Sequence, residues 1–160
     1  MLGVELKGHD YKYEVAELLK LFTTQFRFIK DNEEYDKRII NSVNIDSNEV
    51  NSLTNYYEGE NLVISKQESF DITKLNNEEI KRSMFKVLDK VFETYVPWGV
   101  LTGIRPVKIV HSLLDKGISE SEIREILKNN YLIKDEKIDL ALDIAKRERV
   151  FIYPIDKNKI

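Results

Sequence analysis

The sequence predicts an α+β fold: a small antiparallel sheet of about three strands with one N-terminal helix, then a helical half of about four helices. Three observations predict it. Before about residue 70, apolar and polar residues alternate with period two. After about residue 75, apolar residues recur at helical spacing. In that second half, capping residues stand where each helix must start.

The elements follow in order. Leu2, Val4 and Leu6 alternate with Gly3, Glu5 and Lys7, which reads as a half-buried strand. Gly8, His9 and Asp10 signal a turn, after which Tyr11 and Tyr13 either extend a small hairpin or lead into a helix. Val15, Leu18, Leu19, Phe22 and Phe26 share one helical face and predict a helix over about 13–24. Residues 30–37 are polar and acidic, a surface loop by composition. Ile39, Val43 and Ile45 share one parity, and Arg38, Ser42, Asn44 and Asp46 the other, so a strand with one wet face is expected. Residues 46–55 are rich in turn formers, with a short helix over 50–56 left open. Leu62, Val63 and Ile64 form the next strand, expected antiparallel to the one before it.

Asn76 and Glu79 have the spacing of a capping box. Ile80, Met84, Val87, Leu88, Val91 and Tyr95 then trace one helical face until Pro97 stops it. A two-glycine loop covers 98–105, and Pro106 suits the first turn of the next helix. Val107, Val110, Leu113 and Leu114 form its inner face, and Gly117 ends it. Ser119 and Glu122 cap a short helix carrying Ile123, Ile126 and Leu127. Asp135 caps the last one, with Ile138, Ala141, Leu142 and Ala145 inward. Val150 to Tyr153 read as a strand or extended segment. There is no internal repeat.

Composition narrows function by exclusion. The 160 residues contain two His and no Cys. They offer no disulfide framework, Cys-ligated zinc, iron–sulfur ligand or thiol nucleophile. The net charge of −3 argues against a generic nucleic-acid binder. No apolar run approaches the roughly 18 residues of a membrane span, and no signal peptide is legible, so a cytoplasmic setting is expected.

The densest unusual stretch is 98–108. It holds the only Trp, two Gly, Arg105 and Lys108 around a helix start. The candidate site residues are Trp98, Thr102, Gly103, Arg105, Lys108 and His111. Free N–H groups at a helix start favour anions, and a guanidinium grips carboxylate or phosphate with two parallel bonds. The plainer reading is a rigid connection in which Trp98 plugs the core, the glycines serve turn geometry and Arg105 pairs with an acidic neighbour. Other groups carry weaker signals. His9 has no His or Cys partner and reads as a turn residue. Glu33–Glu34 and Glu78–Glu79 can be drawn as carboxylate pairs, but helix starts favour acids anyway. Phe22, Phe26 and Phe28 read as core. Residues 146–149 (Lys-Arg-Glu-Arg) read as a solvated helix end or an acidic-partner contact.

Three stretches together resemble one family. They are Leu6 to Asp10 leading into 14–22, then Pro97-Trp98-Gly99-Val100-Leu101-Thr102-Gly103-Ile104-Arg105-Pro106-Val107-Lys108, and finally 131–133 with 136–138 and 144–145. This is similar to the N-terminal region of HemZ-type proteins, oxygen-independent coproporphyrinogen III oxidases (coproporphyrinogen dehydrogenases) of the radical S-adenosylmethionine superfamily. The resemblance implies an N-terminal accessory domain over 1–153, with an α+β part at about 1–70 and a helical part at about 75–148. Residues 154–160 would then lead toward a barrel domain that carries the Cys-x3-Cys-x2-Cys motif. It implies S-adenosylmethionine and a [4Fe–4S] cluster for the full-length protein, and no catalytic or cofactor-binding residue in this stretch. The implied partners are the protein's own barrel and a porphyrinogen substrate, with no membrane. A stand-alone RNA- or protein-binding module is the alternative. It would use Lys12, Lys20, Arg27, Lys30, Arg38, Lys146, Arg147 and Arg149.

Overall fold

A computed structural model describes residues 1–31 and 33–152. The chain divides into two compact units, Met1–Val96 and a second that starts at Pro97. The α+β class stands. The sheet has five strands and is mixed, and five α-helices are present among the described residues.

In the first unit, β1 (Leu2–Lys7) leads through α1 (Lys12–Leu19) to β2 (Phe26–Phe28), which pairs parallel with β1. β3 (Lys37–Asp46) lies parallel on the other side of β1. β4 (Glu49–Glu58) and β5 (Asn61–Asp71) continue antiparallel, giving the order β2-β1-β3-β4-β5. The parallel start follows from α1: a helical crossover returns the chain to the same end of the sheet. α1 ends at Leu19, earlier than periodicity suggests. Phe22 lies in the following turn, and Phe26 and Phe28 belong to β2.

The turn-rich stretch after residue 46 is largely strand. Ser47 and Asn48 alone form the turn, Ser47 with φ of 56°, and β4 follows at once. Val50, Ser52, Thr54 and Tyr56 are buried at alternate positions. A ladder on both sides overrides weak local propensity here. β5 therefore pairs with β4 rather than with β3.

α2 (Asn77–Phe92) packs on β4, β5 and α1, so it belongs with the sheet rather than with the helical half. The Asn76 side chain accepts from the Glu79 N–H, as its spacing predicts. Ile80, Met84, Phe85, Val87 and Leu88 are buried in a core with Leu2, Val4, Val15, Leu18, Leu19 and Ile39.

The second unit holds α3 (Pro106–Asp115), α4 (Glu120–Asn129) and α5 (Asp135–Ile152). Pro106 opens α3. Its end is a left-handed cap: Gly117 has φ of 77°, its N–H bonds to Leu114, and the Ile118 N–H bonds to Leu113. Ser119 accepts from the Glu122 N–H and starts α4. Val110, Ile123, Leu127, Ile133, Ile138, Ala141, Leu142 and Ala145 form the core. α5 continues through Val150, Phe151 and Ile152, where an extended segment was expected. The run Lys146-Arg147-Glu148-Arg149 is helix-compatible and carries the helix on into the apolar residues. Tyr153 and residues 154–160 lie outside the described residues. No helix among the described residues is long and apolar enough to cross a membrane.

Candidate functional site

The 98–108 segment splits into a buried half and an exposed half. Gly99 adopts φ of 59°, and a Cβ there would lie 1.9 Å from the Tyr131 carbonyl oxygen. The Val100 N–H donates to that same oxygen at 2.9 Å, and the Lys134 N–H donates to the Pro97 carbonyl at 2.9 Å. Two turns are thus stitched back to back, which only glycine permits at position 99. Trp98 packs half-buried against the helical core, with the Lys137 ammonium 5.7 Å from its ring centre. Trp98 to Leu101 thus have the plug-and-turn geometry of the plainer reading, but the acidic partner that reading gives Arg105 is not found among the described residues.

Thr102 is half-buried, and Gly103, Ile104, Arg105 and Lys108 are exposed. Gly103 has φ of 74° in open space, so its glycine serves conformation alone. Arg105 is the N-cap of α3, and its side chain does not cap. Among the described residues, the side chains of Arg105 and Lys108 make no ion pair or hydrogen bond. They sit three residues apart, one helical turn, at the electropositive end of α3.

His111 engages α5 instead. Its Nδ1 lies 3.3 Å from Arg149 Nη1, and Glu148 Oε2 lies 3.9 Å from its Nε2. Arg149 also donates to Asp115 at 3.0 Å. His111 therefore belongs to an inter-helix polar cluster joining α3 to α5, with Arg105 and Lys108 on the solvent side.

Most of the remaining candidates have structural partners. Glu78 pairs with the buried Lys81 at 3.2 Å, and Glu79 with Arg82 at 2.6 Å. Glu33 accepts from the Lys30 N–H at 3.1 Å. Phe22 meets Phe85 edge-on at 5.4 Å. Lys20, Lys146, Arg147 and Arg149 pair with Glu17, Glu120, Asp143 and Asp115. Lys12 lies over Phe28 and Arg38 over Tyr57.

Sequence reasoning missed a polar network inside the first unit. The Tyr11 N–H donates to His9 Nδ1 at 3.2 Å, which leaves Nε2–H to donate to Asn41 Oδ1 at 2.7 Å. The Asn41 amide then donates to Ser52 Oγ at 3.0 Å and Thr54 Oγ1 at 2.9 Å. Ser52 meets Ser83 of α2 at 2.7 Å. Asn41, Ser52 and Thr54 are fully buried and satisfy one another. The available signal was the parity of Asn41, which stands between Ile39 and Val43 on the inward face. Gly8 lets the chain reach this network. It has φ of 83°, and a Cβ there would sit 2.1 Å from the Val43 carbonyl oxygen.

The network requires a neutral His9. Burial pushes the imidazole below its ordinary 6.5, while the Asn41 bond pulls the other way. The unfolded chain therefore takes the proton first, so this stability is complete above about pH 6.5 and is lost as pH falls below it. The urea midpoint of the wild type should drop between about pH 7 and pH 5.5 more than that of His9→Gln. Parallel profiles would contradict a neutral His9.

Fold and site together define an α+β protein that offers exposed cations at one helix start and an apolar end on another helix. Among the described residues, no three His, Cys, Asp or Glu side chains are grouped to hold a metal ion. Over 51 residues, 32% of the chain, the sequence is 49% identical to the oxygen-independent coproporphyrinogen-III oxidase-like protein HemZ of Bacillus subtilis (strain 168). The chain thus carries a partial HemZ-type region. The match spans 10% of HemZ's own length. No protein-family profile matches the chain, and no solved structure does.

Proposed function

We propose that this chain is the N-terminal, non-catalytic domain of a HemZ-type, oxygen-independent coproporphyrinogen III oxidase-like enzyme, and that the 102–108 turn holds carboxylates of its anionic substrate. The observation that carries the substrate contact is the pair of exposed cations, Arg105 and Lys108, at the start of α3, unpartnered among the described residues. A porphyrinogen bearing propionates is the kind of ligand that a guanidinium, an ammonium and free helix N–H groups hold. The whole enzyme would oxidatively decarboxylate those propionates to vinyl groups in haem biosynthesis, as a cytoplasmic radical S-adenosylmethionine protein. The residues present do not fit a [4Fe–4S] cluster, since the 160 residues contain no Cys to ligate one. In this reading, cluster, S-adenosylmethionine and radical chemistry would belong to a barrel outside these residues. Residues 1–153 would be the accessory domain and 154–160 the link to that barrel.

Coproporphyrin III, the stable oxidised relative of such a substrate, tests the contact by fluorescence titration. Arg105→Ala with Lys108→Ala should weaken binding about tenfold or more and raise no salt-independent remainder. Equal affinity in wild type and variant would remove the substrate contact.

Docking onto the barrel is a second reading with its own observation. Val150 and Phe151 are 68% and 80% exposed at the end of α5. Apolar side chains so placed suit a covering domain. Val150→Ser with Phe151→Ser should abolish association with a separately produced barrel domain, and unchanged association would refute it. The RNA-binding alternative has less support, because the cations it would use are largely paired with carboxylates or laid over rings.

A further inference from the structure

β5 is the outer strand of the five, eleven residues long, with no proline. Its irregularity against β4 lies at Tyr56/Tyr57, opposite its first residues, so the rest of the strand runs regular. Native proteins blunt edges of this length with bulges, cover or charge, because unpaired backbone groups invite another strand. Leu62 and Val63 on this edge are 52% and 50% exposed.

The charges beside this edge do not balance. Ile64, Lys66, Glu68 and Phe70 lie on the face that α2 covers, opposite Tyr56, Thr54, Ser52 and Val50 of β4. Lys86 of α2 reaches Glu68 in a close ion pair. Lys66 lies against the Lys90 ammonium, which, with Lys86 further off, holds Lys66 below the ordinary lysine range. Among the described residues Lys86 thus has a carboxylate partner, and Lys66 and Lys90 make no ion pair. Another carboxylate presented along the edge would relieve them.

We infer that a second copy of this chain supplies it, the two β5 strands pairing antiparallel about a two-fold axis at Gln67. In that register Lys66 stands opposite Glu68 of the second copy, and Glu68 opposite its Lys66. Ile64 then stands opposite Phe70, and Ser65 opposite Ser69, all of them favourable cross-strand pairs. The exposed Leu62 and Val63 come opposite Ile72 and Asp71. The neighbouring registers fail on charge. Centring on Lys66 sets lysine against lysine, and centring on Glu68 sets glutamate against glutamate. The contact is isologous and closed, so it stops at a dimer.

Two experiments on the full 160-residue chain test this. In sedimentation velocity, wild type should associate to a dimer with rising concentration. K66E alone and E68K alone should each dimerise about tenfold or more weakly, because each sets like charges opposite one another. An equimolar mixture of K66E and E68K should recover the dimer as a heterodimer, since both cross-strand pairs become attractive. The second experiment does not depend on charge changes being tolerated. The chain has no Cys, so Gln67→Cys should form a disulfide-linked dimer under mild oxidation, and Ser65→Cys should not. A monomer at all concentrations, a dimer indifferent to both charge changes, or equal cross-linking of the two Cys variants would overturn the proposal.

Discussion

Gly99→Ala is expected to destabilise the helical unit by about 4 kcal/mol, near the upper end for single substitutions. Two costs combine. The residue holds φ of 59°, a conformation that costs a non-glycine residue about 1 kcal/mol or more. The added methyl also collides with the Tyr131 carbonyl oxygen at 1.9 Å and with Leu132 backbone atoms at 2.6 Å. Backbone on both sides is pinned, because the Val100 N–H bonds to Tyr131 and the Lys134 N–H bonds to Pro97. Relief of the clash therefore breaks those bonds and loosens Trp98 and Leu101 from the core. Gly103→Ala is the control. It has φ of 74° but nothing within 4 Å of the new atom, so it should cost only about 1 kcal/mol. Urea unfolding followed by Trp98 fluorescence reports the helical unit directly. Equal losses in the two variants would show that the stitched turns carry no special strain.

Asn41→Leu should destabilise the sheet unit by about 3 kcal/mol, although it places an apolar residue on an apolar face. The amide is the hub of the network: it accepts from His9 and donates to Ser52 and Thr54. Without it, a half-buried imidazole N–H and two fully buried hydroxyls lose a partner, and each loss carries a desolvation cost. Asn55→Leu makes the comparison. Asn55 lies on the other face of the sheet and bonds only Ser65 among the described residues, so its loss should stay below about 1 kcal/mol. Circular-dichroism melts of the two variants decide the matter, and a milder loss for Asn41→Leu than for Asn55→Leu would contradict the network's role.

The site was legible in the sequence where its cause is local. A Pro after an Arg starts α3, and the positions of Arg105 and Lys108 on its first turn follow from helical geometry. The partners of His111 were not legible, because Arg149 lies 38 residues away and its approach depends on how α3 packs on α5. The same holds for Trp98 to Leu101. Two glycines four residues apart look alike in a sequence, yet a Cβ at Gly99 would meet backbone and one at Gly103 would meet nothing within 4 Å.

By itself the sequence determined the α+β class, the capped starts of α2 and α4, the glycine stop after α3 and the placement of Arg105 and Lys108 at the start of α3. Each of these is written within about four residues, the reach of a helical turn or a cap. Only the tertiary structure decided that the sheet has five strands, that β4 runs through a stretch of turn formers, and that α2 joins the sheet. It also decided that Asn41 is buried among polar partners, since His9 lies 32 residues away and the Ser52–Ser83 contact spans 31. Strand pairing and burial are set by residues distant in the chain, and local propensity yields to them when both neighbours of a strand are already in place.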